Sequence, residues 1–153
     1  MMYKFNILLL NGPNLNLLGK RESNIYGNIP LQKIVDKLHQ QAKKIYTKIT
    51  HIQSNAEHIL IDTIHTAKKY DYIIINPGAL THTSISLRDA FLAIQKPFIE
   101  VHISNIFVRE KFRSKSFLSD ISNGVISGLG VYGYYVALRT AVHRLNLIKK
   151  KSP

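Results

Sequence analysis

The chain has 153 residues, 45% of them hydrophobic, and a mean hydropathy of −0.05. That suffices for one domain with a proper core, and no apolar run approaches the ~20 residues of a membrane span. There is no cysteine, which excludes thiol catalysis, disulfides and thiolate metal sites, and the formal net charge is +12. Such a charge raises the prospect of nucleic acid or anionic substrates. The lysines, however, are scattered over "QQAKKIYTK", "TAKKYD" and "IKKKSP", as on a solvated surface, and no aromatic–basic stripe marks a nucleic-acid face.

In chain order, residues 4–10, "KFNILLL", read as a buried strand leading into a turn rather than as a signal peptide. The loop "NGPNLNLLGKRESNIYG" follows. Pro30 and Leu31 open an amphipathic helix to residue 44, with Ile34, Val35 and Leu38 on one face. Residues 49–54 are expected as a strand, 57–69 as a helix with Leu60, Ile64 and Ala67 aligned, and 72–76 as a strand. A helix over 84–94, a strand over 97–102 and a short strand over 124–128 come next. The last helix, 131–147, has Tyr134, Leu138, Ala141, Leu145 and Ile148 in register, and residues 148–153 are expected as a basic disordered tail. Continuous apolar strands alternating with helices mean a parallel sheet covered on both faces. Five βα units predict an α/β, flavodoxin-like, doubly wound five-stranded parallel sheet, with the chain 1–153 forming one domain.

In such sheets ligands bind beyond the carboxyl ends of the strands. The residues expected there are 11–14, 54–55, 76–82 and 102–104, rich in Asn, His, Ser and Thr. These groups both donate and accept hydrogen bonds, which suits a hydroxylated small molecule. In "NPGALTHTSISLRDA", Gly78 permits a sharp turn and Thr83 or Ser84 can cap the following helix. An anion would be favoured at that helix start, with His82 a usable donor beside it. In "EVHIS", alternation puts Glu100 and His102 on the same side of a strand, where a carboxylate fixes the tautomer of an imidazole that can serve as a general acid.

"RESNIYG" holds Arg21 and Tyr26 on one glycine-bounded loop. A free phenol ionises near pH 10, so a phenolate base at neutral pH needs about 4 kcal/mol of help. A guanidinium in a water-poor site can supply much of it. Arg109 and Arg113 in "VREKFRS" fit a lid that clamps a carboxylate, or simply a surface helix. "GLGVYG" matches a dinucleotide fingerprint in form only, because no later strand supplies a ribose-binding acid. His51, His58, His65 and His143 show no metal-ligand spacing.

Together these motifs resemble type II 3-dehydroquinate dehydratases, from "LLLNGPNLNLLGKRE" through "QSNAE", "LIDTIH" and "IEVHISN" to "GVISGLGVYGY". The resemblance implies a single catalytic domain that eliminates water from 3-dehydroquinate in anti fashion through an enolate, giving 3-dehydroshikimate in the shikimate pathway. It implies no cofactor, no metal and no Schiff-base lysine. It implies that Tyr26 is the base, that Arg21 depresses its pKa, and that Asn14 holds the water stabilising the enolate oxygen. His102 would be the acid, oriented by Glu100. Asn76, His82, Arg113 and the backbone of Ile103 and Ser104 would bind substrate, and Asp89 would act at a subunit contact, where Arg88 could instead tie it in a local ion pair. The further expectations are a homododecamer in the cytoplasm, with no nucleic-acid or membrane partner. Ser23 stands where the family usually has proline, and His58 where glycine is common; neither touches the implied chemistry.

Overall fold

A computed structural model of the chain describes residues 2–20 and 22–151. The strands are β1 (Phe5–Asn11), β2 (Thr47–Gln53), β3 (Tyr72–Asn76), β4 (Phe98–His102) and β5 (Val125–Ser127). The helices are α1 (Ser23–Tyr26), α2 (Leu31–Lys44), α3 (Glu57–His65), α4 (Ile85–Ile94) and α5 (Tyr132–Lys151), with short 3-10 turns between several elements. The strands form one all-parallel sheet in the order β2-β1-β3-β4-β5, the flavodoxin-like order expected.

Alternation along the strands builds two cores. Ile7 and Leu9 of β1, with Ile74 and Val101, face α2 and α5. Leu8 and Leu10, with Ile73, Ile75 and Phe98, face α3 and α4. Each such side chain, taken fully from water, contributes about 1.5–3 kcal/mol, and both faces of the central strands collect it. The apolar stripes read from the sequence are the buried ones: Ile34, Val35 and Leu38 on α2, and Leu60 and Ile64 on α3.

Most element ends lie within one or two residues of those expected, β2 starting at Thr47 rather than 49, and larger differences fall in three places. The expected helix 57–69 breaks at Thr66 and finishes as a 3-10 turn, Ala67–Lys69. The loop around Tyr26 contains the one-turn helix α1. Helix α5 runs on through Lys151, so residues 148–151 are helical rather than a disordered tail. Ile148, expected on the buried face, is 57% exposed. The reason is length: at about 1.5 Å per residue, α5 has travelled roughly 24 Å by Ile148, the full span of a seven-residue strand. No helix among the described residues is long and apolar enough to cross a membrane.

The chain goes from β1 outward to β2 and returns to β3 on the other side of β1, so the topological switch lies between β1 and β3. There Asn11 and Asn76 are register partners at the strand ends.

Candidate active site

The two loops leaving the switch point are pressed together. The Gly12 N–H donates to the Asn76 carbonyl at 2.8 Å. A Cβ on Gly12 would lie 2.3 Å from the Pro77 carbonyl oxygen, and Gly78 takes φ +57 against Pro13. Asn14 follows in the left-handed region (φ 67), where asparagine is among the few tolerated residues. Its backbone N–H donates to Asn55 at 2.9 Å. Beneath them the Tyr134 hydroxyl donates to Asn11 at 2.5 Å and accepts from the Asn76 amide at 2.9 Å. Burial pushes the Tyr134 phenol up against the opposing Asn76 bond, so it stays neutral. Asn76 is thereby locked in orientation, its own Oδ1 accepting from the Gly78 N–H at 3.1 Å.

Above the strand ends lies a cavity of about 150 Å³, the scale of a single-ring metabolite. Asn14, Asn76 and His82 line it from the β1 and β3 loops; His102, Ile103 and Ser104 line it at and just past the end of β4; Tyr26 and Arg113 line it too, beside Glu22, Arg109 and Glu110. Of the expected site residues, eight therefore share one cavity. Glu100 stands behind His102, fully buried. Asp89 is exposed on α4 and outside the cavity. Arg21 lies outside the described residues. The "GLGVYG" turn buttresses this end of the sheet: the Gly128 and Gly130 N–H groups donate to the carbonyls of His102 and Ile103 at 3.3 and 3.0 Å.

His102 Nε2 donates to Glu100 Oε1 at 2.6 Å, as strand alternation predicts, which leaves Nδ1 as the other ring nitrogen. Burial would raise the Glu100 carboxyl, but the hydrogen bond and charge of His102, with donors from Thr81 and Ser119, outweigh it and hold it below the usual carboxylate range. His82 Nδ1 donates to the Lys115 carbonyl at 2.7 Å. Burial, with His102 and Arg113 nearby, holds His82 below the ordinary histidine value despite that carbonyl and Glu100. A neutral His82 with its N–H spent on backbone presents Nε2 as an acceptor, not the donor expected from sequence. The helix start assumed to face the site is also displaced: Ser84 caps α4 through the Leu87 N–H, while the 3-10 turn Gly78–His82 supplies the lining.

The residue that sequence reading misplaced is Arg109. Expected either as a carboxylate clamp or as part of a surface helix, it donates to the Tyr26 hydroxyl oxygen at 2.7 Å, its guanidinium carbon 5.4 Å from the ring centroid. Arg113 is held by Glu110 at 3.0 Å. Among the described residues no three of His, Asp and Glu gather where they could hold a metal ion.

A doubly wound sheet with a phenol–guanidinium pair and an imidazole–carboxylate pair in one strand-end cavity defines an enzyme of general acid–base type acting on a small polar molecule. The sequence profile of the class II dehydroquinases matches residues 5–142, and the chain belongs to that family. It is similar to the 3-dehydroquinate dehydratase of Buchnera aphidicola subsp. Acyrthosiphon pisum (strain Tuc7), 59% identical over 150 residues covering 97% of this chain and 100% of that one. It is also similar to that of Erwinia tasmaniensis, 61% identical over 145 residues covering 94% and 97% of the two chains. Among solved structures, the type II dehydroquinase from Butyrivibrio crossotus DSM 2876 superposes with a TM-score of 0.88 at 43% identity, covering 90% of this chain and 97% of that one.

Proposed function

We propose that the chain dehydrates 3-dehydroquinate to 3-dehydroshikimate, as a cytoplasmic step of the shikimate pathway, by anti elimination through an enolate. The observation that carries the reading is the presence of both proton-transfer pairs, Arg109–Tyr26 and Glu100–His102, on one small cavity. An acidic C–H beside a ketone needs a base, an oxyanion stabiliser and an acid for the leaving group.

The Tyr26 phenolate removes the C2 proton, and the electron pair moves onto the carbonyl oxygen as an enolate. Arg109, and by family resemblance Arg21, favour the phenolate by charge. Asn14 holds the water that stabilises the enolate oxygen. The enolate re-forms the ketone, and its carbon–carbon π pair shifts to make the new C=C bond as the C–O bond to the hydroxyl breaks; His102 Nδ1 delivers a proton so that the hydroxyl leaves as water. Tyr26 then returns its proton to solvent and His102 regains one, so the cycle closes with loss of one water. Neutral His82 accepts from a substrate hydroxyl, Asn76 and the Ile103–Ser104 backbone hold others, and Arg113 takes the carboxylate. Asp89 belongs to a neighbouring subunit's site in a dodecamer.

The test is enone absorbance developing when purified protein meets 3-dehydroquinate. Tyr26→Phe is expected to lower kcat on the order of 10²–10⁴ with KM near wild type; a kcat within a few-fold of wild type would overturn the assignment of the base.

A further inference from the structure

Glu100 is fully buried, yet its two oxygens are served unequally. Oε1 receives His102 Nε2 at 2.6 Å, the Thr81 hydroxyl at 2.5 Å and the Ser116 hydroxyl at 2.8 Å. Thr81 and Ser116 are also 2.8 Å from each other, so either can lend its hydrogen to the other without leaving Oε1 bare. Oε2 receives one donor among the described residues, the Ser119 hydroxyl at 2.7 Å. The supply to Oε1 is redundant and the supply to Oε2 is not. A buried carboxylate oxygen without a donor is costly, and the simplest relief is to take up a proton.

We infer that Ser119 is a positioning residue for the dehydration, its hydroxyl holding Glu100 ionised so that the proton shared by the pair stays on His102. The inference rests on the acid role proposed for His102. The chain around it is consistent with the assignment. The stretch that contains Ser119 also presents Arg109 to Tyr26, the Lys115 carbonyl to His82, and Arg113 to the cavity. Ser116 is less clean, because its oxygen also accepts from the Leu118 and Ser119 N–H groups and so shapes the loop.

The titratable and charged groups that line the cavity with His102 are His82 from the β3 loop, Tyr26 and Glu22 from the β1–α2 connection, and Arg109, Glu110 and Arg113 from the segment after β4. Ser119→Ala leaves all of them in place. It removes the positive end of one hydroxyl dipole from Oε2, which raises the proton affinity of the pair wherever the proton resides. It also draws the shared proton from His102 Nε2 toward Glu100, which takes from the imidazole the positive charge that makes its Nδ1–H an acid.

The experiment compares wild type, Ser119→Ala and Ser119→Thr in kcat–pH profiles with 3-dehydroquinate and in histidine Cε1–H nuclear magnetic resonance titrations without it. In Ser119→Ala the falling limb of the profile is expected to move up by about one pH unit, the order of a charge-assisted hydrogen bond. The rising limb is expected to stay, kcat to drop about tenfold, and KM to hold within about twofold. The His102 resonance is expected to show the same upward shift, and Ser119→Thr, which keeps the hydroxyl, to follow wild type. A falling limb and a His102 titration both unmoved in Ser119→Ala would overturn the inference, whatever happens to kcat, and so would a Thr variant that behaves like Ala. Failure of the wild type to turn over 3-dehydroquinate would strike the proposed reaction instead, and the titration would still read the Ser119–Glu100 coupling.

Discussion

Tyr134 and Tyr26 are two phenols near one cavity with opposite surroundings. Tyr134 is sealed between Asn11 and Asn76, where burial pushes it up and keeps it a neutral donor. Tyr26 is half-buried, with a guanidinium 2.7 Å from its oxygen. Opposed environments of this kind assign roles to like groups. Glu100 makes the corresponding point for acids, and it has a measurable consequence. In the folded chain it lies below its ordinary value of 4.5. Between those two values the unfolded chain binds a proton that the folded chain does not. The stability Glu100 contributes is therefore complete above about pH 4.5 and is lost as pH falls through its folded value. Denaturant midpoints of the wild type are expected to fall more steeply below about pH 4.5 than those of Glu100→Gln; parallel curves would refute this. The Glu100–His102 pair was legible in sequence because a two-residue period decides it locally. The Arg109–Tyr26 bond was not, because its partners are 83 residues apart and only tertiary structure brings them together. The donor character assumed for His82 failed for the same reason, since the Lys115 carbonyl that takes its N–H is 33 residues away.

Among the elements, the strands and long helices carry strong periodic signals, and these set the sheet and its two cores. What carried no signal was short: the single turn of α1 and the 3-10 turns, which offer too few residues for a period to show. These short pieces nonetheless shape the site, because the turn after β3 replaces the start of α4 as its wall. The contact that sets this wall is backbone on backbone. A methyl at residue 12 would meet the Pro77 carbonyl oxygen at 2.3 Å, and no rotamer can move it away. Gly12→Ala is therefore expected to cost about 1–3 kcal/mol, as overpacking does, and to lower kcat by spreading the β1 and β3 loops. Gly124→Ala is the control, since its added methyl would meet the Arg144 guanidinium at an ordinary 3.7 Å. Denaturant unfolding of the two variants should separate them, and equal stabilities would show that the loops yield.

At the scale of the whole molecule, the open question on the surface is Asp89. It is exposed on α4, and Arg88, though near enough to feel its charge, spends its guanidinium elsewhere: Asp120 engages it bidentately, at 2.5 and 2.9 Å, and it donates to the Phe117 carbonyl. Spacing on the helix puts Ile85, Asp89 and Leu92 on one stripe, and the two apolar members are 58% and 49% exposed. An acid flanked by exposed aliphatic side chains is poorly explained as a solvated face, and suits a contact between copies that delivers a carboxylate to the neighbour's cavity. Asp89→Ala is expected to weaken assembly and activity together, with specific activity falling on dilution more steeply than in the wild type. Ile85→Ser should weaken assembly through the same stripe while leaving the carboxylate, so its activity should recover at high protein concentration, whereas that of Asp89→Ala should recover only in part. Sedimentation velocity run beside a dilution series of turnover reads both quantities. A wild-type monomer with full activity would refute the shared site, as would an Asp89→Ala protein that matches wild type in both measurements.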